Sequence, residues 1–420
     1  MLIQRTRSYR GGGPTAQTAA LTINTPPAQL RSRLVATFAF FVIMVSFLDT
    51  MAQLPVLPQF VQSLGAGARL VGIVLAAYSI ANMAGNISAG LVIDRFGRKT
   101  GIVIGMAVAG SAVAFYAAVT SPQQLLFLRV LHGLGGAILV PAAFAFAGDA
   151  SREENAGRSM GRAGAAVALA AMLGPAAGGI FRATFGPRPL FLTLAALMAI
   201  TATLVIFFLP ESYREVRRDT LPIPFSQRLR PIIRDRRLLF VFVAILFVQM
   251  AMGTLSFALP LAVDAAGFSA ARTGSLFSIF ALVAITLFLA PAAGLSDRYG
   301  RPVLIRMGMI ALTASLAILS LGNSLPVMAG AMVVYGVGYG LAFPAMCATV
   351  VDRTDRTNRG TGFGVFYAVF SLGVAAGPVA SGALVEAGVS PTAVIAVALA
   401  MAQLILFAVG RKPGPDKDAV

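Results

Sequence analysis

The sequence has very few of the side chains that build enzyme active sites and metal centres. Its 420 residues include no tryptophan, one cysteine and one histidine, and only 12% of them are Asp, Glu, Lys or Arg. A lone Cys347 cannot form an internal disulfide, and a lone His132 excludes a conventional zinc site with several His and Cys ligands. Soluble domains carry about twice this charged fraction. We therefore expect no metal site and no ordinary soluble domain.

Acidic residues are scarcer than basic ones. There are 16 Asp and Glu against 33 Lys and Arg, which gives a formal net charge of +17. In a soluble protein this balance suggests nucleic acid as a partner, but here the basic residues occupy short loops between apolar runs, where they set membrane orientation. No paired catalytic carboxylates, nucleophile–base set or nucleotide-binding motif is visible. The sequence therefore predicts no enzyme, no ATP-driven pump, no cofactor and no nucleic-acid partner.

Long apolar runs are what the sequence has instead. Hydrophobic residues make up 57% of the chain, and the mean hydropathy is +0.82. A helix needs about 20 mostly apolar residues to cross roughly 30 Å of hydrocarbon, and its backbone groups must pair internally. Twelve runs meet this requirement: 34–57, 70–93, 101–119, 124–148, 160–181, 189–209, 238–263, 273–295, 303–321, 326–350, 361–385 and 391–410. The predicted fold is an all-α membrane protein with twelve transmembrane helices.

Basic residues concentrate in the loops on one side of these runs. Since the positive side of a membrane protein is cytoplasmic, both termini are predicted to be cytoplasmic, in a multi-pass protein of the bacterial inner membrane. Residues 1–32 contain arginines and no acid; they could imitate a mitochondrial presequence, but we favour a disordered cytoplasmic tail. The predicted units are this tail, a six-helix bundle over 33–210, a cytoplasmic linker over 211–237, a second six-helix bundle over 238–410 and a tail over 411–420.

The two predicted bundles share an internal repeat with an offset of 203 residues. Asp94-Arg95-Phe96-Gly97-Arg98 recurs as Asp297-Arg298-Tyr299-Gly300-Arg301, and Gly174-Pro175 recurs as Gly377-Pro378. One register kept through several motifs indicates a tandem duplication. Two parallel repeats place a substrate site at their interface, near the middle of the bilayer.

The repeated loop belongs to a set of motifs that resemble one family. Gly90-Leu-Val-Ile-Asp94-Arg95-Phe-Gly97-Arg98-Lys99 resembles the loop motif of the major facilitator superfamily, and residues 294–301 form its weaker second copy. The fifth run resembles the antiporter motif of that superfamily's proton-driven drug exporters, through Gly161, Gly174-Pro175 and Gly178-Gly179. The resemblance covers about 34–410. It implies a twelve-helix drug:proton antiporter that works by alternating access.

The resemblance also implies a cytoplasmic gate. Asp94 would bind helix N-termini and arginines and hold the two halves together in the outward-facing state; the alternative is loop charge that only sets orientation. Asp149 with Arg158, echoed by Asp352 with Arg359, would form a similar clasp. For the glycine-rich fifth helix, a gating role competes with plain small-residue packing. The residues assigned to the gate are Gly90, Asp94, Arg95, Gly97, Arg98, Lys99, Asp149, Arg158, Asp297, Arg298 and Arg301.

Asp49 is a carboxylate deep inside the first apolar run. A charge at the centre of a membrane helix costs about 3 kcal/mol on insertion scales, so such residues are usually functional. Its repeat partner is Met252, and Arg129 and His132 likewise have uncharged partners, so the duplicated scaffold does not need these charges. The resemblance implies that Asp49 and Arg129 face one another across a central cavity, where Asp49 would load and release a proton. A structural ion pair is the alternative, and for His132 a structural hydrogen bond competes with a proton relay.

These assignments lead to an expected function. The sequence predicts a secondary transporter that exports drug-like or amphiphilic small molecules in exchange for protons, acting as a monomer in the lipid bilayer. The alternatives are an exporter of one endogenous metabolite, such as a sugar or amino-acid derivative, and an uptake symporter. Proton coupling is assigned to Asp49, Arg129 and His132, and the antiporter motif to Gly161, Gly174, Pro175, Gly178 and Gly179. Substrate-cavity contacts are assigned to Met51, Gln53, Gln249, Met252, Tyr335 and Tyr339, and for most of them a lipid-facing or core-packing role is the alternative.

Overall fold

The structure, a computed structural model, describes residues 28–149, 156–209, 225–289, 299–322, 324–354 and 358–410, and the regular structure in these ranges is helical. Fourteen helices lie in them: α1 Ala28–Gln53, α2 Leu57–Ser63, α3 Ala68–Phe96, α4 Arg98–Tyr116, α5 Pro122–Asp149, α6 Ala156–Phe185, α7 Pro187–Phe208, α8 Phe225–Arg234, α9 Arg236–Ala265, α10 Ala270–Leu289, α11 Arg301–Leu321, α12 Leu325–Asp352, α13 Arg359–Glu386 and α14 Pro391–Gly410. The predicted all-α fold is confirmed.

Ten of these helices are long and apolar enough to cross a membrane. The segments Thr37–Gln53 and Leu57–Ser63 qualify as an eleventh span if they are taken together across a bend of 51°. Prolines explain this bend, because Pro55 disfavours helical backbone at the residue before it and Pro58 has no N–H to donate. The remaining predicted run corresponds to a shorter apolar helix, Pro391–Leu406. A multi-pass membrane protein is supported, and the number of twelve spans stays a prediction.

The two halves of the chain share the positions of their glycine turns and the pairs of helices that contact each other. Glycine adopts positive φ far more readily than other residues, and six glycines of the described chain do so in pairs separated by 202 or 203 residues: Gly65 and Gly267, Gly97 and Gly300, and Gly186 and Gly388. The contacts α3–α5, α4–α5, α4–α7 and α1–α6 recur in the second half as α10–α12, α11–α12, α11–α14 and α9–α13. This pattern supports two six-helix repeats, which stay a prediction.

The halves approach each other most closely at one end of the bundle. We call the end where α1 begins and α14 ends the proximal end, and the opposite one the distal end. Towards the distal end, α3 contacts α13 and α6 contacts α10. A Cβ added to Gly72 would lie 2.2 Å from the Pro378 carbonyl oxygen, and one added to Gly274 would lie 2.2 Å from the Pro175 carbonyl oxygen. Because real Cβ atoms essentially never come within 3.0 Å of another atom, both crossings require glycine.

Hydrogen bonds also join the halves in this region. Three of them connect described residues: Gln59 Nε2 donates to the Pro260 carbonyl at 2.8 Å, Ser278 Oγ donates to the Met172 carbonyl at 2.6 Å, and the Arg69 backbone N–H donates to the Glu386 carboxylate at 3.1 Å. Away from these contacts, each half has its own hydrophobic core. The described chain is therefore closed at its distal end.

Candidate functional site

A buried chain of hydrogen bonds connects three helices of the first half. Asp49 on α1 is 3% exposed, and its Oδ2 lies 2.7 Å from Nε2 of His132 on α5, which is 1% exposed. The other imidazole nitrogen, Nδ1, lies 3.1 Å from the hydroxyl of Tyr116 on α4. Gln53, one turn along α1, donates from Nε2 to Asp49 Oδ1 at 2.7 Å. Both carboxylate oxygens and both ring nitrogens are therefore occupied.

This chain keeps its bonds in two protonation states. When the imidazole is neutral, Nε2–H donates to the Asp49 carboxylate and Nδ1 accepts from the Tyr116 hydroxyl. When the imidazole is protonated, Nδ1–H donates to the Tyr116 oxygen instead, and the bond between His132 and Asp49 becomes an ion pair. No side chain has to move, because a hydroxyl both donates and accepts. The hydrogen-bond geometry is therefore compatible with a neutral and with a protonated imidazole.

Arg129 lies one turn from the histidine on α5 but has different partners. Its Nε donates to the Val74 carbonyl at 3.4 Å, and its Nη2 donates to the Leu75 carbonyl at 3.1 Å, both on α3. Its guanidinium carbon is 4.9 Å from the centre of the Tyr78 ring. The same tyrosine packs edge-on against the His132 ring, with centroids 4.8 Å apart. One aromatic ring thus contacts both basic side chains.

The expected pairing of Asp49 with Arg129 is corrected by this geometry, since the basic side chain that contacts Asp49 is His132. The two basic residues are three positions apart on α5, so they point about 60° apart around the helix. The short imidazole reaches α1, and the longer guanidinium side chain extends to the α3 carbonyls. A histidine is a switchable partner, because it alternates between neutral and charged forms, whereas an arginine stays charged.

The equivalent place in the second half has no charge. There Tyr335 occupies the position of His132, and Met252 occupies that of Asp49. Phe280 packs edge-on against Tyr335, with centroids 5.2 Å apart and planes at 85°, which is the arrangement that the first half shows around its imidazole. The Tyr335 hydroxyl is buried and has no hydrogen-bond partner among the described residues. The packing of the site is thus duplicated, and its titratable chemistry is not.

The residues expected to contact substrate fall into two groups. Those that are 1% exposed or less, inside the core of a half, are Gln53, Gln249 and Tyr335. Those that are half-buried are Met51, Met252 and Tyr339. The first group is enclosed by protein atoms in this structure, and substrate contact by it stays a prediction. Substrate contact by the second group stays a prediction.

One side of the antiporter motif packs against α1 of its own half. A Cβ added to Gly178 would lie 2.0 Å from the Ala52 carbonyl oxygen, and one added to Gly174 would lie 2.7 Å from Met51 Cβ. Small residues are therefore required where α6 crosses the turn of α1 that follows Asp49.

The other side of the same segment faces the second half. The Pro175 carbonyl lies against Gly274 of α10, and a Cβ added to Gly179 would lie 2.4 Å from the Ala270 carbonyl oxygen. The motif therefore connects the helix that carries the buried carboxylate with a helix of the other half. Gly161, at its start, has no described surroundings.

The residues assigned to the gate are only partly described. Seven of them lie outside the described residues or side chains: Gly90, Asp94, Arg95, Asp149, Arg158, Asp297 and Arg298. Gly97 has φ +90° and ends α3. Arg98 Nη1 donates to the Ile93 carbonyl at 3.4 Å, and Lys99 Nζ donates to the Ile206 carbonyl at 2.7 Å. These contacts hold the turn between α3 and α4 to its own half.

Asp352, at the end of α12, has a partner other than the expected one. Arg301, at the start of α11, contacts its carboxylate through Nε and through Nη2, the latter at 3.2 Å. Arg359 instead donates to the Val351 and Thr354 carbonyls, at 3.5 and 3.2 Å. The expected clasp between Asp352 and Arg359 is therefore wrong, because Arg359 satisfies carbonyls that the end of α12 leaves free.

Tyr78 and Tyr116 are site residues that the sequence reasoning missed. Each is a single aromatic residue in an apolar run, where core packing is the ordinary role of such side chains. The repeat offers one signal that could have found Tyr116. The position 203 residues later is Leu319, so Tyr116 shares the asymmetry of Asp49, whereas Tyr78 has an aromatic counterpart in Phe280.

Comparison with known proteins settles the family. The sequence profile of the Major Facilitator Superfamily matches residues 39–291 and residues 241–419. This chain belongs to the major facilitator superfamily. Two solved structures share its superfamily fold. The nucleoside transporter NupG has a TM-score of 0.75 at 16% identity, covering 90% of this chain and 100% of that one. A bacterial homolog of the human lysosomal transporter Spinster, in an inward-facing conformation, has a TM-score of 0.75 at 14% identity, covering 93% of this chain and 100% of that one.

Similar superfamily sequences include two bacterial resistance proteins. Multidrug resistance protein 2 of Bacillus subtilis (strain 168) is 26% identical over 355 residues, which cover 82% of this chain and 87% of that protein. The multi-drug resistance efflux pump PmrA of Streptococcus pneumoniae serotype 4 is 25% identical over 344 residues, which cover 79% and 84%.

Proposed function

We propose that this superfamily member is a proton-coupled exporter of drug-like or amphiphilic small molecules, and that Asp49 and His132 carry the coupled proton. The observation that carries the proposal is the buried chain from Asp49 through His132 to Tyr116, which accepts a proton without rearrangement. Similar proteins are named as multidrug resistance proteins and as a multi-drug efflux pump. Those names favour drug-like substrates over a single metabolite.

Charge gives a reason for proton and substrate to alternate. With a neutral imidazole, the charges of Asp49 and Arg129 sum to zero, and one added proton makes the site positive. Two unit charges 4 Å apart interact by about 4 kcal/mol at an effective dielectric constant of 20. A positively charged substrate therefore binds best after the proton has left. Because of this repulsion, the proton and a positively charged substrate occupy the site in turn, and one is exchanged for the other.

The antiporter motif is the proposed route from proton binding to movement. Asp49 and Gln53 flank the stretch of α1 on which Gly174 and Gly178 pack. The opposite side of the same α6 segment contacts α10 of the second half. A change of charge on α1 is thus one helix away from the contact that closes the distal end. This contact is made between the backbones of α6 and α10, so it has no flexible side chain to absorb movement, and a small shift of α6 is enough to break it.

We also propose a topology with twelve spans and both termini in the cytoplasm of a bacterial cell, with 33–210 and 238–410 as the two repeats and one chain as the functional unit. The charge distribution supports this orientation. The distal turns contain only a few basic residues near Arg69, Arg188 and Arg272, whereas the proximal end holds many more. Closure at the distal end then corresponds to a state that is closed to the outside, in which substrate enters from the cytoplasm.

Tyr116→Phe is expected to lower pH-driven accumulation about tenfold, because His132 Nδ1 then loses its partner and an unsatisfied buried group costs about 1–3 kcal/mol. Tyr335→Phe is the matched control in the second half, since its hydroxyl has no hydrogen-bond partner among the described residues. Substrate accumulation in proteoliposomes with an imposed pH gradient measures both variants. Equal behaviour of the two would remove the hydrogen-bonded chain from the coupling mechanism.

Proton flux tests the function as a whole. Purified protein in vesicles loaded with a pH-sensitive dye is challenged with lipophilic amines, neutral amphiphiles, sugars, amino-acid derivatives and nucleosides. Proton movement is expected with the amines and amphiphiles. Movement with sugars, amino-acid derivatives or nucleosides alone would make this chain a metabolite transporter, and substrate transport without any proton movement would remove the coupling.

A further inference from the structure

We propose that α8 and the first residues of α9 form a binding surface for the headgroups of anionic phospholipids. We call this surface the arginine shelf and define it by Arg230, Arg234, Arg236 and Arg237. All four residues are exposed. None of them forms an ion pair with any other residue that the structure describes. Four guanidinium groups within eight positions therefore present a concentrated positive charge to the solvent.

The shelf is a fixed part of the second half. Ile232 of α8 is 1% exposed and belongs to the core of that half, and α8 contacts α9 and α13. Its neighbour Ile233 is 48% exposed. The helix is strongly amphipathic: Ile232 faces the core, and Arg230 and Arg234 are exposed. A short basic helix with an exposed apolar residue is typical of segments that lie at a membrane surface.

The position of the shelf matches the depth of lipid headgroups. The span α9 begins at Arg236, and its first exposed apolar residues are Leu239 and Val243, one turn apart. At a rise of 1.5 Å per residue, Arg236 lies only about 5 Å along the axis from the first of these. Arginine side chains near helix ends extend toward the interface while their aliphatic stems stay on apolar surface. The guanidinium groups are thus within reach of phosphates.

The acidic residue nearest to the arginine shelf in the sequence does not neutralise the positive charge of its arginines. Asp235 lies within it, but its Oδ1 accepts from the backbone N–H groups of Arg237 and Leu238 at 2.8 and 3.1 Å. Its Oδ2 accepts from Nε and Nη2 of Arg353, at 2.9 and 2.8 Å. This carboxylate therefore has its full set of partners. The planar guanidinium fork matches phosphate oxygens, and each arginine near an anionic surface strengthens binding by about fivefold.

The absence of tryptophan makes the test direct. Ile233→Trp introduces the one indole of the chain beside the shelf, and its fluorescence is measured in vesicles that contain either brominated phosphatidylglycerol or brominated phosphatidylcholine at equal mole fraction. We expect the anionic quencher to be enriched about threefold or more around this indole, and high salt to reduce the enrichment. Leu321→Trp, 86% exposed at the distal end of α11, is the matched control and is expected to show no preference.

Two further variants separate lipid binding from membrane orientation. Arg230→Gln with Arg234→Gln keeps Arg236 and Arg237 next to the span, so orientation is retained, and the enrichment is expected to fall by at least half. Removing all four arginines is expected to abolish it. Equal quenching by both lipids at Ile233→Trp, or enrichment that survives removal of all four arginines, would overturn the proposal. Loss of enrichment with inorganic pyrophosphate, but not with sodium chloride of equal ionic strength, would show a soluble polyanion as the ligand instead.

Discussion

Asp49→Asn is expected to abolish accumulation of substrate against a gradient while downhill exchange remains measurable. The asparagine keeps the shape of the side chain and an oxygen that can accept from His132 Nε2–H, so the hydrogen-bonded chain persists. It lacks the carboxylate charge, so the site permanently carries the net positive charge of the protonated state. We expect uphill transport to fall about 100-fold, the factor that corresponds to about 2.7 kcal/mol. Accumulation under an imposed pH gradient and passive exchange are measured in the same vesicles.

Asp264→Asn is the matched control for this variant. Asp264 lies near the distal end of α9, away from the buried hydrogen-bonded chain, and interacts there with Arg182 of the first half. The same chemical change at this position is therefore expected to alter uphill and downhill transport together, without uncoupling them. His132→Gln is a second test, because glutamine donates a hydrogen bond but does not titrate. Accumulation by Asp49→Asn at the rate of the parent would show that Asp49 is not the coupling residue. Loss of uphill transport in His132→Gln alone would place the proton on the imidazole.

Gly274→Ala is expected to stop the transport cycle without unfolding either half. The added Cβ would lie 2.2 Å from the Pro175 carbonyl oxygen, and these two backbones belong to different halves, so the distal contact must open. Overpacking of this kind costs about 1–3 kcal/mol, which shifts a two-state equilibrium about 5- to 150-fold. We expect transport to fall by at least about tenfold with little change in melting temperature. Spin labels on a cysteine pair across the distal end, in a Cys347→Ser background, measure the opening.

Two glycines on α6 provide the comparison. Gly178→Ala places a Cβ 2.0 Å from the Ala52 carbonyl oxygen within one half, so we expect it to lower thermal stability together with transport. Gly164→Ala lies on the same helix with nothing within 4 Å of the added atom, and is expected to change neither. If Gly274→Ala lowers the melting temperature as much as Gly178→Ala does, the distal contact is ordinary packing and has no gating role.

The helical secondary structure and the position of the buried carboxylate of Asp49 could be predicted from the sequence. Apolar runs of about 20 residues specify membrane helices because lipid offers the backbone no other partners. The asymmetry between Asp49 and Met252 marks a charge that the duplicated scaffold does not need. The partner of Asp49 could not be predicted, because it depends on the rotation of α5 against α1. A difference of about 60° around one helix decides between Arg129 and His132.

Contacts that depend on backbone approach were also beyond the sequence. The antiporter motif reads as one unit, yet Gly178 packs within its half and Gly179 packs against the other half. The partner of Asp352 was missed for a similar reason. Arg359 is nearer in the chain, but the neighbouring helix α11 brings Arg301 to the carboxylate. In both cases the interhelical geometry, and not the residue type, decides the role.

Closure of the distal end by glycines against proline carbonyls has a consequence for how this protein evolves. The contacts at Gly72 and Gly274 are made to main-chain atoms, so their energy is independent of the side chains that line the path between the halves. Substitutions that reshape that path can accumulate without changing the closure itself. Related proteins can thus acquire new substrates through substitutions of cavity side chains, while the glycine–carbonyl contacts between the halves are retained.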